Sequence, residues 1–309
     1  MNAYPYKFEP IYKEKIWGGR NLERLFARRL PPEKLIGESW ELADLEQGVS
    51  VLANGPAAGT GLTELTDALG TDLLGGADAM PDGRFPLLLK LLDANDTLSL
   101  QVHPDAEAVE RIDGDAALKT ECWYVLESRN GYIHKGVKEG VAPEQFRRAI
   151  EENTVEEAVR RYDVTAGDFH YLPAGTVHAL GAGVVVAEVQ TPSDTTYRVT
   201  DWGRGREIHV ERSMECIHFE PPEDSPPGEG CETLLETEFF TVSLRRLEAG
   251  KARDLPEGVC SAVMVLRAPA GVRIAHGGDR EPEVVAGSGD TVLLPASLES
   301  PSLSAPAGS

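Results

Sequence analysis

Gly167-Asp168-Phe169-His170-Tyr171-Leu172-Pro173-Ala174-Gly175-Thr176-Val177-His178 carries one strand together with its punctuation. A Gly-Asp pair opens a turn, Phe169 to Leu172 favour the extended backbone, and Pro-Ala-Gly stops it. The chain then reverses sharply and delivers a histidine. Outward from this segment the same grammar recurs. Extended runs are expected at 39–42, 49–53, 85–92, 97–103, 121–126, 184–190 and 196–200, punctuated by Gly, Pro, Asn and Asp. Short strands spaced in this way predict an all-β sandwich or barrel.

Gly289-Asp290-Thr291-Val292-Leu293-Leu294-Pro295-Ala296-Ser297 faintly resembles the opening segment, as an internal repeat or as a chance similarity of short strand-turn pieces. An internal repeat predicts two barrels of one kind. Only the first is followed by a histidine, so only the first is expected to bind metal. Between them, 221–230 is rich in turn formers and has no apolar residue large enough to anchor a core. A boundary is therefore expected there, with one unit at 1–220 and a second, metal-free β unit at 231–309. The second unit should hold strands at 239–247, 260–266, 272–275 and 291–294, with 302–309 frayed. A short helix is expected at 21–26, capped by Asn21. A helical insertion is expected at 143–162 as two short helices. Phe146, Ala149 and Ile150 share one face, and Val155, Ala158, Val159 and Tyr162 another. Thr154 and Glu157 fit a capping box between the two sets.

In Leu98-Ser99-Leu100-Gln101-Val102-His103 the side chains should alternate, with Ser99, Gln101 and His103 on one face. Taken alone, such a polar row is either the wet face of a sheet or a lined site. The wider pattern bears on the choice. Gly167-x5-Pro173-x-Gly175-x2-His178 has the spacing of the second motif of cupin barrels. Four segments occur in order: Ser99-Leu100-Gln101-Val102-His103-Pro104, Lys119-Thr120-Glu121-Cys122-Trp123, Pro173-Ala174-Gly175-Thr176-Val177-His178 and Ser193-Asp194-Thr195-Thr196-Tyr197-Arg198. Together they resemble the short bacterial form of type I mannose-6-phosphate isomerase, within the cupin superfamily. Trp17-Gly18-Gly19 also fits. The resemblance covers about residues 1–215 and thins to the level of fold beyond them.

The resemblance implies a mainly β chain of two cupin-type jelly-roll barrels, with a few short helices inserted in the first. It implies a zinc-dependent aldose–ketose isomerase that interconverts mannose 6-phosphate and fructose 6-phosphate through an enediol(ate). One zinc ion per chain would be held by Gln101, His103, Glu121 and His178. Two imidazoles, a carboxylate and an amide oxygen suit that borderline metal and leave room for substrate oxygens. Glu107 is a rival carboxylate, since generic cupins place their Glu four residues after the first histidine. It is expected to run off into a loop, whereas Glu121 begins a strand and can face inward. Arg198 matches the family's catalytic arginine. Lys90, Ser99 and Lys119 match positions that line its substrate site. Glu188 shares a strand face with Val184 and Val186, where a carboxylate is unusual unless paired or functional, and is the candidate for proton transfer. Trp17 and Trp123 are read either as walls of the sugar site or as core.

Composition bounds the remaining possibilities. Hydrophobic residues make up 41% and charged ones 26%, as in a folded globular chain. A net charge of -21 argues against nucleic acid as a partner. No apolar run reaches the roughly 18–20 residues of a membrane span. Residues 1–7 lack the pattern of a signal peptide, so a cytoplasmic setting is expected. Cysteines 122, 216, 231 and 260 form no CxxC pair and read as reduced structural thiols. The expected partner is a hexose 6-phosphate, and the expected state a monomer or homodimer. Two other readings compete. Another metal-dependent cupin enzyme, such as an iron oxygenase, is disfavoured by Gln101 in place of a histidine. A non-catalytic sugar-binding cupin is disfavoured by the retention of Lys90, Lys119, Glu188 and Arg198.

Overall fold

The computed structural model describes residues 3–112, 114, 116–220, 232–277 and 284–306. The expected boundary at 221–230, Cys231 and residues 307–309 lie outside the described residues. The chain is mainly β. Two sheets enclose the first core. One has six strands in the order Phe169–Leu172, Glu121–Ser128, Val184–Gln190, Leu88–Ala94, Ile36–Leu42 and Ile11–Gly19. The other has five, in the order Val159–Asp163, Tyr132–Val137, His178–Leu180, Leu100–Val102 and Tyr197–Thr200. All pairings among them are antiparallel. Trp17, Leu92, Leu98, Trp123, Val125, Ile133, Leu180 and Val186 fill the space between the sheets.

The outer faces are covered too. Leu100 and Val102 turn away from the interior and pack with Phe146, Ile150 and Cys216 beneath the helices Ala106–Arg111, Pro143–Glu151 and Val210–Cys216. Leu98 departs from the expected alternation because it precedes the strand. It joins the interior instead.

The expectation for 143–162 needs correction. Pro143–Glu151 is a helix, but Val155–Ala158 is a single 3-10 turn and Val159–Asp163 is an edge strand on Tyr132–Val137. Thr154 makes no side-chain cap. Asn153 stands in the left-handed region at φ 57 and breaks the first helix. The few residues beyond it are too short to nucleate another helix, whereas a neighbouring strand offers ready ladder partners. Further helices lie at Leu62–Leu69 and Thr71–Leu74, which the sequence reading missed. At 21–26 the cap is not Asn21 itself. Asp93 accepts from its backbone N at 2.6 Å and from its side-chain amide at 2.8 Å, satisfying a helix N-terminus from another strand.

The Gly289-Asp290 turn of the second β unit repeats the Gly167-Asp168 turn in detail. Gly167 and Gly289 both have positive φ, at 101 and 88. Asp168 Oδ2 accepts from Thr165 N at 2.7 Å, and Asp290 Oδ2 from Gly287 N at 2.7 Å. Gly167 N donates to Val125 O, and Gly289 N to Val265 O. Thr291–Leu294 pairs on one side with Ser261–Met264 and on the other with Tyr6–Lys7 from the start of the chain. A second sheet holds Ala252–Asp254, Ser302–Ser304, Val272–Ala275 and Val284–Ala286 in that order. Ser302–Ser304 is therefore a paired strand and not frayed. Met264 and Leu266 of this unit pack on Leu91, Val185 and Ala187. The second unit thus covers the outer face of the six-stranded sheet.

Trp17-Gly18-Gly19 has a steric explanation. A Cβ on Gly18 would lie 2.5 Å from Gly37 N, and one on Gly37 would lie 2.6 Å from the Trp17 ring. Two strands approach so closely only because both positions lack side chains. Gly18→Ala meets backbone, which cannot swing aside. It is expected to cost about 1–3 kcal/mol of stability. Urea unfolding followed by tryptophan fluorescence measures this, and an unchanged midpoint would show that the strands part freely.

Candidate metal centre and active site

The four motifs converge at one end of the first module. Gly175 N donates to the His103 carbonyl at 2.8 Å, tying the Pro-Ala-Gly turn to the end of the Leu100–Val102 strand. Gln101 and Arg198 stand opposite each other, as do Gln101 and His178, and His178 and Lys135. Opposite residues of an antiparallel pair share a face. Lys135, His178, Gln101 and Arg198 therefore form one row across four adjacent strands. On the facing sheet, Trp40, Lys90, Glu188 and Trp123 form a second row in the same manner. The Trp123 and His178 rings meet edge to face at 5.4 Å, joining the rows.

His103, Glu121 and His178 bring their ligand atoms within 4.8 Å of one another, all buried. His103 Nδ1 lies 2.8 Å from the Thr195 carbonyl, and His178 Nδ1 lies 2.8 Å from the Thr176 carbonyl. A carbonyl only accepts, so each Nδ1 carries a proton, and in the neutral ring Nε2 is a bare lone pair. His178 Nε2 lies 3.1 Å from Glu121 Oε1, and His103 Nε2 lies 3.6 Å from Oε2 and faces Lys119 Nζ. Neither Glu121 oxygen has a hydrogen-bond partner. Lys119 Nζ reaches 2.9 Å from Oε2 and 3.0 Å from His103 Nε2, but without hydrogen-bond alignment to the carboxylate. Three acceptors converging in a buried site fit a cation among them.

The local electrostatics point the same way. Burial holds His103 well below the ordinary imidazole range, and Lys119 presses it lower. Burial works to raise the Glu121 carboxyl, but Lys119, His103 and His178 outweigh it and hold it well below the usual range. The site thus keeps a neutral imidazole beside a carboxylate, the protonation states a divalent metal requires. Gln101 adjoins the trio, with its amide nitrogen 3.3 Å from His178 Nε2. Half a turn of the amide presents the oxygen instead.

In the second row Lys90 Nζ donates to Gln190 Oε1 at 2.5 Å and pairs with Glu188 Oε1 at 3.0 Å. Trp123 Nε1 donates to Glu188 Oε2 at 2.7 Å. Gln190 in turn donates to the Thr191 and Ser193 carbonyls. Behind Lys90 stands Glu38, which the sequence reading missed. Burial works to raise its carboxyl, but Lys90 and Lys15 outweigh it and hold it at about 2. It also accepts from Trp40 Nε1 at 2.7 Å.

Other candidates are placed as follows. Arg198 is half-buried beside Gln101, with Nη1 3.5 Å from the Glu207 carbonyl. Ser99 is buried just before its strand. Trp17 and Trp123 are core residues, and Trp123 also orients Glu188. Glu107 pairs with Arg111 on an exposed helix, and its side chain is 80% exposed. It takes no part in the buried trio. Lys135 was missed as well. The period-two alternation of Ile133 and Lys135 was its signal, hidden because no motif surrounds it.

The chain is similar over most of its length to proteins of one family. The family model for the catalytic domain of type I phosphomannose isomerase matches residues 6–130. Mannose-6-phosphate isomerase of Streptococcus mutans is 38% identical over 252 residues, covering 78% of each chain. ManA, a mannose-6-phosphate isomerase of Bacillus subtilis, is 37% identical over 263 residues, covering 78% of this chain and 79% of its own. The crystal structure of the mannose 6-phosphate isomerase from Bacillus subtilis superposes with a TM-score of 0.85 at 29% identity, covering 98% of this chain and 97% of its own. A zinc-bound mannose 6-phosphate isomerase shares the fold at 17% identity, with a TM-score of 0.79 over 99% of this chain and 98% of its own. With the relatives covering more than two thirds of it at such identity, the chain belongs to the type I phosphomannose isomerase family.

Proposed function

We propose that the chain interconverts mannose 6-phosphate and fructose 6-phosphate by proton transfer through a cis-enediol(ate), with one zinc ion per chain held by Gln101, His103, Glu121 and His178. The observation that carries this reading is the convergence of the buried His103, Glu121 and His178, with their ligand atoms within 4.8 Å of one another. When bound, zinc supplies a Lewis acid for the sugar's carbonyl oxygen. The chain's own residues divide the remaining work. Arg198, a fixed cation beside Gln101, stabilises the negative charge of the enediolate oxygens. Glu188 takes the carbon-bound proton and returns it to the neighbouring carbon. Its Oε2 is fixed by the Trp123 indole, which aims the carboxylate, and Oε1 pairs with the Lys90 ammonium at 3.0 Å. Lys90, Ser99 and Lys119 contact the substrate.

In this reading 1–220 carries the chemistry and 231–309 supports it by covering the six-stranded sheet. A reducing cytoplasmic setting suits Cys122, Cys216 and Cys260, which are free thiols. No described helix is long and apolar enough to cross a membrane.

A coupled assay for fructose 6-phosphate, run on purified protein of known metal content, tests the function. Chelation is expected to abolish turnover and zinc to restore it; full activity in metal-free protein sinks the reading. Arg198→Ala is expected to lower kcat by roughly 10²–10³-fold with zinc content unchanged. Undiminished turnover would remove Arg198 from the chemistry. Acid stability tests the ion network. The Glu38 carboxyl lies at about 2 in the fold against an ordinary 4.5, so its contribution is present above about pH 4.5 and lost as pH falls toward 2. The contribution is on the order of 3 kcal/mol. Urea midpoints followed from about pH 6 to pH 2.5 should fall less steeply for Glu38→Gln than for wild type. Parallel curves would show that Glu38 is not held in this way.

A further inference from the structure

We propose that Lys135 binds the phosphoryl group of the substrate; the inference rests on the isomerase reading above. Lys135 is 4% exposed, and the three buried lysines among the described residues, Lys90, Lys119 and Lys135, all belong to the first module. It stands directly opposite His178 and so shares the inward face of the row that holds Gln101 and Arg198. One step deeper on the same strands lie Leu180 and Ile133, opposite each other and part of the apolar interior with Trp123. Lys135 therefore lies in the polar layer of the ligands, just above the apolar floor.

The backbone next to it is specialised. Gly136 has φ 79 and its N–H donates to the Val177 carbonyl at 2.7 Å. The register against Val159–Asp163 slips there, with Val137 opposite Val159 but His134 opposite Arg161. Val137 consequently turns into the helix-covered core, although strict alternation would put it on the face of Lys135. A bulge of this kind beside a site re-aims side chains.

Chemistry then selects the ligand. An ammonium offers donors only and carries a full charge, which suits phosphate oxygens. Lys135 and Arg198 stand at opposite ends of the row, roughly 14 Å apart across three strand spacings. With the reacting carbons at the central ligands and Arg198 on the enediolate, the far end of the substrate lies on the Lys135 flank.

The test compares wild type with Lys135→Met, Lys135→Arg and, as a control for charge alone, Lys138→Met at the exposed position just past the same strand. Lys135→Met should raise KM for mannose 6-phosphate and the inhibition constant for inorganic phosphate roughly 10- to 100-fold each. Its zinc content should be unchanged and its kcat less affected than KM. Lys135→Arg should recover most of the phosphate affinity, and Lys138→Met should match wild type. Calorimetric titration of zinc-loaded protein with inorganic phosphate gives the same comparison without turnover. A folded Lys135→Met protein that binds phosphate as wild type does overturns the proposal, as does a loss confined to kcat. If that variant does not fold, Lys135→Gln takes its place under the same criteria. Wild type that binds phosphate but does not isomerise refutes the isomerase reading instead.

Discussion

Two imidazole nitrogens and one carboxylate, three groups that share the role of ligand, are crowded together in a buried site where water does not screen them. His103, Glu121 and His178 are nevertheless held with their ligand atoms within 4.8 Å. The orientation of each ring is imposed from behind, by the Thr195 and Thr176 carbonyls. Lys119 relieves part of this crowding from one flank. A cation bound among the three would relieve the rest. This is how a pre-organised site differs from a chance cluster: its unfavourable contacts are maintained by hydrogen bonds that have no other use.

Those hydrogen bonds also explain why the site was legible from sequence. Three of the four motifs are tied together around His103. Gly175 ties its turn to His103, Thr195 fixes the His103 ring, and Gln190 links Lys90 to the Ser193 carbonyl. Each contact uses a turn residue or a short polar side chain at a fixed offset from a strand, so local spacing preserves the geometry. The repeat at Gly167 and Gly289 was legible for the same reason, because the Asp that follows each glycine caps an N–H only three residues back.

What stayed hidden depends on partners distant in sequence. Val159 to Tyr162 satisfy a helical pattern as well as a strand pattern, and only the edge of Tyr132–Val137 decides between them. Tyr6–Lys7 completes a sheet with Thr291–Leu294 at the far end of the chain. Glu38 shows its importance only beside Lys90 and Lys15. Lys135 has no motif around it, and its direction is set by pairing with His178 and by a bulge. Each of these required long-range register, which periodicity within one segment does not contain.

Register also resolves an apparent conflict of charge. A protein of net charge -21 presents a field that opposes an entering phosphate. Salt confines that field to about 8–10 Å from each exposed charge. Inside the module the balance is different. Lys90, Lys119 and Lys135 are buried and Arg198 is half-buried, all around the trio, where solvent screens them least. Burial is costly for a lysine, and here ion pairs offset it, Lys90 with Glu188 and Lys119 with Glu121. Distance and local dielectric, and not the sum over the surface, therefore set the attraction felt by the substrate. An acidic exterior and a cation-lined interior are compatible because the buried charges are separated from the solvated ones by the packed layers that cover the sheets.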